Sequence, residues 1–395
     1  MIEFFTPLYQ LAWPFTLAAS WLAGEILYRI LGMPRIAVYA LGGFLFGNLA
    51  ASYLPPSEAG AFMLLANFGF GLILFELGYR INLGWLRHNP WILITSLAES
   101  LCTFGAVYGV ATFCGRPPLA SAILAALAMA ASPAGLVRVI NEQHSSGQVT
   151  ERALHLSALS CVLAVFTFRV VIGIGVFQTE GDVLHAAWSS LAVLAVSASL
   201  GGLFGVVVPV WLRSFEDGAR DATLAFTIAV ILLVLVTHVL KFEPVLAALT
   251  FGIVARHRRI VLSPAQRNFG VLGDLLSVLL FFYVAATLSW DQVLHGFGLG
   301  LLLVLVRGLV KVTMCTVFAR VSGITARKGM FTGLALTPMA VFAILLLEQT
   351  RRLGVDLFHS LAPLAAIALL LEVAGPLATQ RAVQLAHEAR TVREK

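Results

Sequence analysis

Thirteen stretches of roughly 20 apolar residues follow one another along this chain of 395 residues, each bounded by charge, proline or glycine. They lie near 5–31, 34–53, 61–79, 90–114, 118–142, 152–177, 184–212, 220–240, 243–256, 268–289, 293–319, 327–348 and 357–384. In hydrocarbon every backbone N–H and C=O must bond within the protein, so runs of this length and number are helices crossing a bilayer. The ninth run is short and either stands alone or continues from the eighth through the turn Lys241-Phe242-Glu243-Pro244. Composition agrees, with 59% apolar and 12% charged residues, where a soluble domain has about 45 to 50% and 25%. The expected class is an all-α membrane protein of about 13 transmembrane helices.

Charge tests that count. With the N-terminus outside, the cytoplasmic side gathers nineteen of the 26 lysines and arginines and the outer side four, leaving Arg169, Arg307 and Lys311 within segments. One missed helix would scramble the asymmetry, so the count and an orientation of N-terminus outside and C-terminus cytoplasmic support each other. The net charge of +6 follows from this bias and not from a nucleic-acid surface, because no basic tract is long or interleaved with aromatics. The N-terminus lacks a basic leader, so the first segment is expected to be retained as a helix. No soluble domain is expected after the last one. Cys102, Cys114, Cys161 and Cys315 show no paired spacing, and neither a metal site, a cofactor motif nor a disulfide is expected.

Two of the segments are interrupted in the same way. Pro133 in Ala130-Ala131-Ser132-Pro133-Ala134 and Pro338 in Ala335-Leu336-Thr337-Pro338-Met339 each fall near mid-segment, each after a hydroxyl residue. A proline there removes a helical hydrogen bond and costs roughly 3 kcal/mol. One such proline is an ordinary kink; two in matched places predict a pair of discontinuous helices whose half-helix ends meet a solute at mid-membrane. They lie in the fifth and twelfth segments, and a separation of seven makes the two antiparallel. That is the pattern of an inverted repeat, 1–177 against 220–384, with 178–219 as connector and 385–395 as a cytoplasmic tail.

Several stretches resemble the monovalent cation:proton antiporters, in particular the second family, which includes Kef-type potassium efflux systems and bacterial sodium/proton exchangers. Phe68-Gly69-Phe70-Gly71-Leu72-Ile73-Leu74-Phe75-Glu76-Leu77-Gly78 is similar to that family's third helix, and Ala130 to Val137 to its broken fifth. Leu246 to Ile253 is similar to the ninth, and Leu280-Phe281-Phe282-Tyr283-Val284-Ala285-Ala286 to the tenth. The resemblance implies a sodium/proton antiporter-like fold in the inner (plasma) membrane. It also implies a homodimer, a moving core bundle with elevator-like alternating access, and a monovalent cation (Na⁺ or K⁺) and a proton as partners.

The family's site residues transfer only in part. Val310-Lys311-Val312-Thr313 resembles the segment bearing the family's core lysine, which puts that role on Lys311. An ammonium inside the membrane costs roughly 2.5 to 3.5 kcal/mol on insertion scales and points to function. Arg307 lies one turn away on the same face, where two cations oppose each other's charge; the structural alternative to a role for Lys311 is that one of them snorkels and the other pairs with a carboxylate. The carrier aspartate of the sixth helix is replaced: Ser160 and Cys161 stand at the matching pair. A thiol is a poor ligand for hard alkali cations and a poor proton carrier.

Glu99 and Glu372, near the middle of the fourth and thirteenth segments, are the acids placed to take over, either as exchangers or as static partners of Arg307, Lys311 or Arg169. Ser132 and Thr337 at the breaks add hydroxyl ligands. Glu25, Glu76 and Arg80 are expected at the cytoplasmic edge in structural pairs. Three functions stay open: cation:proton antiport with relocated acids, transport of another solute such as an anion, and a transport-inactive sensor or scaffold. An enzyme is not expected, since no segment pairs aspartates or aligns a Ser/His or zinc-ligand set.

Overall fold

A computed structural model describes residues 12–50, 56–175, 183–213, 218–258, 269–339, 343 and 361–389. Each of the thirteen segments carries helix there: α1 (Ala12–Leu31), α2 (Arg35–Ala50), α3 (Pro56–Arg80), α5 (Trp91–Phe113), the divided pair α6 (Pro118–Met129) and α7 (Pro133–Glu142), and α8 (Gln148–Gly175). There follow α9 (Val183–Leu212), α10 (Gly218–Val239), α11 (Pro244–His257), α12 (Gly270–Ala286), α13 (Trp290–Val317), α14 (Ala326–Ala335) and α15 (Ala362–Leu385). Seven of them are long and apolar enough to cross a membrane unaided, and α2, α6, α11 and α12 are shorter apolar helices. The remainder of the twelfth segment beyond Met339 lies outside the described residues, Ala343 excepted.

Local chemistry sets the boundaries. Pro118, Pro133 and Pro244 occupy first-turn positions, where the missing N–H would be unpaired anyway. Lys241 adopts a left-handed φ of 57° just after α10, so the ninth segment is a helix of its own. A six-residue helix, α4 (Leu83–His88), was not expected; Asn82 starts it by accepting from Trp85 N–H at 3.2 Å.

The helices pack as two halves. In one, α1, α2, α3, α10, α11 and α12 lie on one another; in the other, α5, α6, α8, α13, α14 and α15 do. The contacts repeat at a step of seven segments: α3 lies on α11 as α12 lies on α2, and α5 on α6 as α13 on α14. Both scaffold contacts use glycine to bring backbones together. A Cβ on Gly78 or Gly252 would strike Leu249 O or Phe75 O across the α3–α11 crossing, and one on Gly43 would strike Phe282 O across α2–α12. The result is an inverted repeat with two discontinuous crossing helices.

Candidate functional site at the crossed helix breaks

The two breaks meet. The chain is extended at Ala130 and Ser132 between α6 and α7, and Ala131 forms an antiparallel bridge with Met339 just past Pro338. Ser132 N–H donates to Pro338 O at 2.9 Å. Pro133 itself is the first residue of α7, and Ser132 Oγ caps that helix by accepting from Gly135 N–H at 3.0 Å. Thr337 Oγ1 instead donates back to Leu334 O at 2.6 Å. Gly375 of α15 lies against Pro338, where a Cβ would not fit.

The carbonyl ends of α6 and α14 point to the crossing, each carrying partial negative charge. Arg307 fills the space between them. Its Nε donates to Ala128 O at 2.8 Å, Nη2 to Ala130 O at 2.8 Å, and Nη1 to Thr337 O at 2.5 Å, with longer bonds to Pro338 O and Leu336 O. Lys311, one turn on, donates to Met129 O at 3.0 Å and to the Glu99 carboxylate. Arg307, Lys311 and Glu99 all have zero exposure. Neither cation snorkels. The breaks leave so many unpaired carbonyls that Arg307 is satisfied without a carboxylate, and Lys311 takes the acid.

The helices that supply these groups are inside out. In α5 the buried face runs Thr95, Ser96, Glu99, Ser100 and Thr103, whereas Leu93, Ile94, Leu97 and Leu101 face outward. In α13 the buried face ends in Arg307, Lys311 and Cys315, with Leu301, Leu305 and Leu309 outward. Only an apolar surrounding makes that arrangement favourable. Glu99 also accepts long bonds, 3.4 Å each, from Ser100 Oγ and Thr103 Oγ1. A cavity of about 10 Å³, room for one water, opens one turn away among Thr95, Arg152, Cys315, Ser322 and Thr332.

Ser160 and Cys161 on α8 both bond to the first break. Ser160 Oγ accepts from Ala131 N–H at 3.2 Å, and Cys161 Sγ donates to Ala131 O at 3.1 Å. Glu372 is 5% exposed and makes no ion pair among the described residues. It lies one turn before Gly375, near the second break. Arg169 pairs with Glu243, away from the crossing. Glu25 pairs with Arg29 and Arg35, and Glu76 with Arg80 and Asn141. No group of three His, Cys, Asp or Glu side chains gathers as a metal site among the described residues.

Three polar residues went unnoticed in the sequence. Glu243 read as part of a turn; its position before a helix-starting proline was the available signal. Asn141 and Glu388 gave none, because their partners lie far away in the chain. Glu388 accepts from Val149 N–H at 2.9 Å and Thr150 N–H at 2.8 Å, capping α8 from beyond the end of α15.

Crossed, interrupted helices with buried cations at their carbonyl ends define a membrane transport protein of the antiporter fold. The whole chain superposes on two structures of the sodium proton antiporter MjNhaP1 from Methanocaldococcus jannaschii. In one, the TM-score is 0.68 at 17% identity, over 95% of this chain and 96% of that one. In the other, it is 0.75 at 15% identity, over 97% and 99%. A relative, the ammonium/H(+) antiporter subunit AmhT of Alkalihalophilus pseudofirmus, is 24% identical over 326 residues, 80% of each chain. The chain belongs to the sodium/hydrogen exchanger transmembrane family, whose model matches residues 16–383.

Proposed function

We propose that the chain exchanges a monovalent cation for protons, with the Glu99–Lys311 pair as the proton-linked element. The observation that carries this reading is that pair: two opposite charges with zero exposure, placed where α6 ends at the crossing. Burying them is costly, and a static apolar pair of the same volume would be at least as stable, so their retention favours a working role. A proton arriving on Glu99 cancels its charge and releases Lys311, leaving the ammonium held by Met129 O. That raises the net charge of the moving half by one, which release of the exchanged cation from that half offsets. The half holding α5–α8 and α13–α15 moves against the scaffold in an elevator-like cycle, and the repeats are 1–177 and 220–384. A homodimer in the plasma membrane, with the N-terminus outside, completes the proposal.

The test is proton flux in proteoliposomes, read with a pH-sensitive dye while Na⁺, K⁺, Li⁺, ammonium and anions are scanned. Cation-dependent flux that Glu99→Gln abolishes supports the reading; full activity in that variant overturns it.

The neutral groups at the family's carrier position favour a second reading, in which the site has a changed substrate, an anion included, or none. Ser160 and Cys161 are both spent on Ala131, and Arg307 and Lys311 bring positive charge to the same place. Cys161→Asp separates the two. If Cys161 marks lost alkali-cation coordination, as the second reading holds, the variant creates or strengthens cation-dependent proton exchange by adding a desolvated carboxylate beside the breaks. If wild type already exchanges Na⁺ or K⁺ and the variant behaves identically, position 161 is not a carrier.

A further inference from the structure

Far from the crossing, Arg169 and Glu243 form a second internal ion pair, and it is incomplete. Arg169 Nε and Nη2 both donate to one oxygen, Glu243 Oε2, at 3.0 and 2.7 Å. The other oxygen, Oε1, is buried and has no hydrogen-bond partner among the described residues. A guanidinium fork placed for stability alone would engage both carboxylate oxygens, and a buried acceptor left alone costs about 1–3 kcal/mol. Glu243 occupies the N-cap position of α11, yet its side chain does not cap that helix. The carboxylate is turned toward Arg169, and its own N–H donates to Ser197 Oγ of α9 at 3.0 Å.

The pair also spans the two halves. Arg169 belongs to α8, which packs on α5, α6 and α14 of one half and also on α9, whereas Glu243 precedes α11, which packs on α3 and α10 of the other half and also on α9. Arg169 lies about 12 Å along α8 from Cys161, at a rise of 1.5 Å per residue. Arg152 lies near the start of that helix and Arg169 near its end. Relative motion of the halves therefore stretches this contact. Glu243 is 1% exposed, while the Arg169 side chain is 26% exposed, so the arginine is the partner that has somewhere to go.

We propose that Glu243 is a docking carboxylate for a monovalent cation at this contact between the halves, with Arg169 as the tethered cation that the solute displaces. The inference rests on the antiport reading. A single positive charge replaces the guanidinium without altering the local count, whereas a divalent ion leaves one charge in excess. The bare Oε1 supplies a hard oxygen ligand that no protein group uses.

The test measures the half-saturating cation concentration from each membrane face in uniformly oriented proteoliposomes, for Na⁺, K⁺, Li⁺ and ammonium. Glu243→Gln is expected to raise it about tenfold or more at the Glu243 face and to leave the opposite face within about twofold. Arg169→Gln is expected to lower it at the same face only. Equal values for Glu243→Gln and wild type, or equal shifts at both faces, overturn the proposal, the latter because it marks a purely structural pair. If Glu243→Gln does not reconstitute, Glu243→Asp is measured by the same criterion. A wild type that moves no ion defeats the antiport reading but not docking, which is then read as cation-dependent thermal stabilisation in detergent against a choline control. Stabilisation that Glu243→Gln loses supports docking, and its absence in wild type overturns it.

Discussion

Lys311–Glu99 and Arg169–Glu243 are both ion pairs between helices in a low-dielectric surrounding, yet they are finished differently. Glu99 is met by an ammonium and two hydroxyls, all within one half of the molecule. Glu243 is met on one oxygen only, by an arginine from the other half. The first arrangement holds a charge in place. The second leaves room for exchange at the price of an orphan acceptor. Satisfaction of the acid, more than depth, distinguishes the two pairs.

Breaking the first pair is expected to have the largest effect. Lys311→Met or Glu99→Gln alone leaves one buried group uncompensated and should cost about 3–5 kcal/mol of stability. The double variant should recover much of that, so the losses are strongly non-additive in thermal unfolding of detergent-solubilised protein. Additive losses would mean that the contact carries no coupling. The same cycle on Arg169→Gln and Glu243→Gln is expected to show a smaller coupling, about 1–2 kcal/mol, because the arginine reaches solvent. A coupling as large as the first would erase the distinction between the two pairs. The smallest effect belongs to Thr103→Val, which removes one long hydrogen bond to Glu99 and should cost about 0.5–1 kcal/mol. A loss of several kcal/mol there would show the hydroxyl to be as important to Glu99 as its ammonium partner.

The sequence carried the architecture well. Thirteen apolar runs, the bias in lysine and arginine, and the two matched prolines led to the helix order, and the breaks lie next to both prolines. These are local signals: a run is long enough to span or it is not, and proline lacks its N–H wherever the chain goes. The unforeseen helix at Leu83–His88 depended on Asn82 as a cap, a weaker signal in a stretch read only as a loop.

The candidate site was legible as residue types and not as partnerships. Lys311, Arg307, Glu99 and Glu372 stood out because charge in an apolar run is expensive. Which acid Lys311 would meet was undecidable from the chain, since α5, α13 and α15 are all polar on one face. That Arg307 meets the carbonyls of both breaks was not legible, because it depends on how α6, α13 and α14 cross.

By itself, then, the sequence determined the class of molecule, its span order and the positions of its two breaks, because hydrophobic length, loop charge and proline act through nearest neighbours. Only the tertiary structure decided that Arg307 is neutralised by backbone, that Lys311 meets Glu99, that Cys161 is held by Ala131, and that Glu243 keeps one oxygen unused. Each of those depends on which helix faces which across 30 to 212 residues of chain. In a medium without water to compensate, it is that facing which decides what every buried charge must bind.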